Sequence, residues 1–144
     1  MHYRVEALYG QEHAENPVVL DNPRDMDALI DSLLASQVDW NLAELHSLQR
    51  SRLPSGFPDH ELLVGADGNR QVGVLEFMDS DGNVVTLGSS EGRDEVSYSF
   101  NAQAMEFPGN SEIPVDLVRR AVKEFLVSGG QRPTCVQWQT PEFW

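Results

Sequence analysis

Apolar residues recur along this chain in two rhythms, and each change of rhythm marks an element. Tyr3, Val5, Ala7 and Tyr9 alternate with Arg4, Glu6 and Leu8, the period of a strand with one buried face. After Asp21-Asn22-Pro23 the spacing lengthens, and Met26, Leu29, Ile30, Leu33 and Leu34 fall three and four apart. This predicts a helix over roughly 23–35, with a capping side chain and a proline at its first position. Asp25 and Asp27 then lie in the first turn, where the helix dipole favours them. Trp40, Leu42, Leu45 and Leu48 fit either a short helix or an irregular strand, and strand is the preferred reading of residues 40–50. Pro54-Ser55-Gly56-Phe57-Pro58 reads as a loop.

The centre of the chain returns to short apolar runs. Leu62-Leu63-Val64, Val72–Met78 and Val84–Leu87 are separated by Asp67-Gly68 and Asp81-Gly82, which predicts three strands joined by hairpin turns. Val96, Tyr98 and Phe100 alternate with serines as a further strand. A second helix is predicted where Val118, Ala121, Val122, Phe125 and Leu126 form a one-sided stripe. Pro114 stands at its start and Gly129-Gly130 at its end. Val136 and Trp138, alternating with Cys135 and Gln137, suggest a last strand. The simplest assembly is α+β: one antiparallel, meander-rich sheet of about five to seven strands with two main helices on one face. All of residues 1–144 are expected to form one domain.

Charge changes this picture more than composition does. The net charge is −13, from 23 acids against 10 bases. Residues 54–112 hold eleven of the acids against only Arg70 and Arg93. Such a field repels phosphate backbones and anionic membranes and speeds encounter with basic partners. A charge of this size also serves plain solubility. One cysteine excludes an internal disulfide and a cysteine-paired zinc knuckle. The first residues lack an apolar run behind a basic end, and no long apolar window follows. A soluble, cytoplasmic protein is the expectation.

Each candidate for chemistry fails on its own mechanics. Gly88-Ser89-Ser90-Glu91-Gly92 matches the nucleophile elbow G-x-S-x-G. That motif needs a following helix and a later histidine, whereas His2, His13, His46 and His60 all precede Ser90. Cys135 has no base in its local sequence to form a thiolate. In Asp59-His60-Glu61, strand alternation puts the imidazole opposite the carboxylates, against a convergent metal site. No phosphate-binding loop, zinc-protease motif or calcium loop is present. The expectation is therefore a binding protein with no catalytic residue, cofactor or metal. The alternatives are a small hydrolase-like enzyme with an unrecognised site, or an accessory domain for a partner that is not a toxin.

Glu112-Ile113-Pro114, Ala121, Glu124-Phe125, Gly129, Arg132-Pro133 and Val136-Gln137-Trp138 resemble the C-terminal signature of a bacterial immunity-protein family. Val72-Gly73-Val74-Leu75 and Gly88 resemble its core, and the likeness covers roughly residues 60–140. That family accompanies polymorphic toxins, especially deaminases that attack cytosines in nucleic acids. The resemblance implies a cytoplasmic antidote, not an enzyme. It would bind a cognate toxin as a monomer or a one-to-one heterodimer and block its active site or substrate groove. A toxin acting on nucleic acid carries a basic groove, and an acidic protein can occupy it. Asp79, Asp81, Glu91, Asp94 and Glu95 are the candidate contacts, with no nucleic acid or membrane as partner.

Overall fold

The computed structural model describes residues 3–10, 16–36, 38–88 and 96–141. Its elements run β1 (Val5–Leu8), β2 (Val18–Leu20), α1 (Pro23–Ala35), β3 (Leu42–Ser47), β4 (Glu61–Asp67), β5 (Val72–Asp79) and β6 (Gly82–Thr86). Then follow β7 (Val96–Phe100), β8 (Gln103–Phe107), β9 (Ile113–Pro114), α2 (Val115–Val127) and β10 (Trp138–Gln139). The antiparallel main sheet has the order β10-β6-β5-β4-β3-β1-β2, with β9 added beside β5, and β7 and β8 form a separate hairpin. Among the described residues, no helix is long and apolar enough to cross a membrane.

Both helices pack on one sheet face, as the apolar stripes predict. Met26, Leu29, Ile30 and Leu33 of α1 and Val118, Ala121, Val122, Phe125 and Leu126 of α2 are buried against Val5, Ala7, Leu45, Leu62, Val64, Leu75 and Phe77. Asn22 caps α1, its side-chain oxygen accepting from the Asp25 N–H at 2.9 Å. The end of α2 is a Schellman motif. Gly130 N–H donates to Phe125 C=O and Gly129 N–H to Leu126 C=O, with φ of +93° and +73° that glycine adopts without strain. At the start of α2, Pro114 lies one residue outside the helix. The Val115 N–H there donates to the Gln71 carbonyl.

The sheet exceeds the predicted five to seven strands: the main sheet alone has eight. The extra strands carry little period-2 signal. β8 is exposed along its first four residues, so it shows no apolar alternation. β2 and β9 hold three and two residues, too few for a pattern. The last strand is also shorter than predicted, beginning at Trp138 rather than Cys135. Asp67-Gly68 does not form a two-residue turn. Asp67 pairs with Val72 across a four-residue connection, and the left-handed residue there is Gln71, at φ +56°.

The second sheet face is divided. Its apolar end (Leu42, Leu63, Val74 and Val85) is covered by Val96, Tyr98 and Phe107 of the hairpin. Gly65 makes this possible, because a Cβ there would lie 2.7 Å from the Tyr98 ring. Tyr98 donates its hydroxyl to Glu112 Oε2 at 2.6 Å. The same oxygen accepts from Arg70, which ties the hairpin to the sheet. The other end of this face is polar.

Candidate functional site

The polar end follows from strand register. Leu45 pairs with Leu62 across β3 and β4, so the residues just beyond, His46 and Glu61, come together on the face opposite the helices. Glu6 of β1 is registered against His46. Glu44 of β3 and Glu76 of β5 both lie opposite Leu63 of β4, one on each side. Four adjacent strands thus place Glu6, Glu44, His46, Glu61 and Glu76 in one strip.

Donor atoms of Glu44, His46 and Glu61 lie within 4.8 Å of one another. His46 Nε2 is 3.6 Å from Glu44 Oε1, and its Nδ1 is 3.7 Å from Glu6 Oε1. The His46 residue is only 9% exposed, and its Nδ1 has no hydrogen bond within normal distance. Burial holds the imidazole below its ordinary pKa despite the nearby Glu44 and Glu6 charges. Burial, with the charge and hydrogen bond of Glu44, pushes Glu61 up to about 8, and Glu76 adds to the effect. Glu76, 4% exposed, is pushed to about 7 by burial alone. At the rim of the strip, Arg52 Nη2 lies 3.6 Å from Glu6 Oε1.

Beside the strip opens a cleft of roughly 520 Å³ lined by Leu53, Pro58, Asp59, His60, Glu61, Met78, Asp79 and Ser80. Phe57, on the adjacent loop, is 70% exposed and Leu53 is 49% exposed. Arg50 braces this region, its Nη1 donating to Gly130 C=O at 2.9 Å and its Nε lying 3.0 Å from Asp59 Oδ1. His60 Nε2 accepts from the Ser47 N–H at 2.8 Å, so its Nδ1 carries the proton that faces Asp59 Oδ1 at 2.9 Å. Burial opposes ionisation of Asp59, but hydrogen bonds from His60 and Arg50 hold its carboxyl below the usual range.

Of the predicted contacts, Asp79 and Asp81 meet at the β5–β6 turn, where Asp79 Oδ1 accepts from the Asp81 N–H at 2.9 Å. Asp81 faces solvent, while Asp79 is half-buried with Arg50 Nη2 3.9 Å away. Glu91, Asp94 and Glu95 lie outside the described residues, as does most of Gly88–Gly92. Asp59-His60-Glu61 divides, with the His60 ring tilted beside that of Phe125 of α2 and Glu61 joining Glu44 and His46. Cys135 is half-buried and free, and burial with the adjacent Glu124 pushes its thiol pKa up, so it is a poor nucleophile.

Sequence reasoning missed Glu44, His46 and Glu76. One local signal exists. Glu44 and His46 are two apart, which on a strand is one face. Their meeting with Glu61 and Glu76 needs the register of three strands, which no local window contains.

The fold and the strip define a small α+β protein whose sheet gathers acidic side chains on the face opposite the helices. The chain belongs to the family described as Immunity protein Imm1, whose model matches residues 14–140. A protein of such a family has a cognate toxin as its partner. No curated protein matches the chain. Among solved structures, it is similar to a hypothetical protein from Neisseria gonorrhoeae at 10% identity, covering 92% of this chain and 90% of that one, with a TM-score of 0.44.

Proposed function

We propose that this chain is a non-enzymatic, cytoplasmic immunity protein that neutralises its cognate toxin by direct binding, occupying the active site or substrate groove of a deaminase acting on cytosine in nucleic acid. The family match over residues 14–140 carries this reading. The acid balance supports it, since a net charge of −13 complements the basic groove that a nucleic-acid enzyme needs. Asp79, Asp81, Glu91, Asp94 and Glu95 are proposed as contacts. Exposed Phe57 and Leu53, beside acidic Asp59 and Asp79, offer the apolar anchor with a charged rim that interfaces use. Co-expression with its cognate toxin domain tests the proposal. Growth is restored and the two proteins co-purify if it holds. Persistent toxicity without a complex rejects it.

A further inference from the structure

We propose that Glu44, His46 and Glu61 form a site for one transition-metal dication, zinc by preference. The proposal is independent of which toxin the protein binds.

Three observations carry it. The donor atoms of these residues, from adjacent strands, already lie within 4.8 Å of one another. Zinc bonds of about 2.0–2.2 Å require somewhat closer donors, within reach of side-chain rotation in two long glutamates. Second, Glu76 lies on the same sheet face one strand over, opposite Leu63 as Glu44 is, and is 4% exposed. Among the described residues it has neither a hydrogen-bond partner nor a counter-ion. Charging a buried carboxyl that has no partner is costly, and a dication beside it would offset that cost. Third, His46 is held with one nitrogen toward each side. Nδ1, buried and without a hydrogen bond, faces Glu6, while Nε2 faces Glu44. A small turn of the ring would let Nδ1–H donate to Glu6, 3.7 Å away, and present Nε2 as a metal donor.

The donor set selects the ion. An imidazole nitrogen with two carboxylates suits zinc or its neighbours, whereas magnesium and calcium prefer oxygen throughout. Donors from three side chains surrounding one point suit an ion better than a planar guanidinium, which is matched by a carboxylate fork. With three protein ligands, a coordination position stays open.

The test is calorimetric titration of the whole, tag-free protein with zinc chloride at neutral pH, with manganese, magnesium and calcium chlorides in parallel. Zinc is expected to bind one per chain, to raise the melting temperature, and to be removed by EDTA. His46→Gln and Glu61→Gln should each weaken zinc at least about tenfold, the scale known for groups that support a metal, while Glu106→Gln on exposed β8 should not. Circular dichroism checks that the variants fold. Should either fail to fold, Glu44→Gln, at a more exposed position, reads the same loss. Cobalt absorption in the visible gives a second readout, present in the wild type and lost in the variants. The site is overturned by the absence of zinc binding. It is equally overturned by several weak ions per chain that the substitutions do not affect. Binding of an arginine-rich peptide through these residues in place of zinc would assign the strip to the partner interface and overturn the metal site as well.

Discussion

Single side chains in this protein do work that their local sequence does not announce. Glu112 precedes α2 and resembles a helix-start residue, yet it accepts from both Tyr98 and Arg70 and so fastens the hairpin to the sheet. Removing Glu112 leaves the buried Tyr98 hydroxyl without its acceptor, while Arg70 keeps Asp67 at 3.0 Å. Glu112→Ala is expected to cost about 1–3 kcal/mol in urea unfolding. Trp138 is half-buried, with its indole N–H donating to Pro133 C=O at 2.8 Å. A fully buried ring would lose about 3–5 kcal/mol on truncation, so Trp138→Ala should lose nearer about 2. Glu124 gives a pH-dependent case. Burial opposes its charge, but hydrogen bonds from Thr134 and Cys135 outweigh it and hold the folded pKa below the ordinary 4.5. A carboxyl lowered on folding stabilises above its unfolded pKa, and that contribution fades as pH falls through the folded one. Glu124→Gln should therefore lower the melting temperature at neutral pH, and its gap to the wild type should narrow as pH drops below 4.5.

At the scale of elements, stability rests on caps as much as on apolar stripes. Gly130 combines φ of +93° with a neighbour, Ser47 Cβ, that a new Cβ would approach to 2.5 Å. Gly130→Ala should cost more than Asn22→Ala, which removes only a cap worth about 1 kcal/mol; melting curves of the two variants decide the order. These same elements show what sequence makes legible. α1 and α2 were readable because a dozen or more residues repeat one period, with a cap and proline opening α1 and a glycine pair closing α2. β4 and β5 were readable as apolar runs between turn residues. β8 was not, because its side chains face solvent, and β9 exists only because Val72 and Gly73 offer it an edge. The candidate site divides in the same way. Asp79 and Asp81 share one turn and could be named together, whereas Glu44, His46, Glu61 and Glu76 are neighbours only after β3, β4 and β5 align.

For the whole molecule, the net charge of −13 sets the field that any partner meets. If the acidic turns steer a basic toxin, replacing Asp79, Asp81, Glu91, Asp94 and Glu95 by Ser or Asn together should slow association and flatten its dependence on salt. Stopped-flow measurement at several ionic strengths checks this, and an unchanged rate and slope would remove those residues from the interface.

The helices are joined late in the chain. Arg119 of α2 bonds Asp27 and Asp31 of α1, and Lys123 Nζ lies 2.8 Å from Asp27, while Trp138 closes the sheet beside Thr86. The core is therefore incomplete on the ribosome until synthesis has passed residue 139. At about 5–20 residues per second, and with slow long-range pairing still to follow, a nascent copy has a lag before it is folded. Protection against the cognate toxin then rests on the standing stock of finished molecules rather than on those being made.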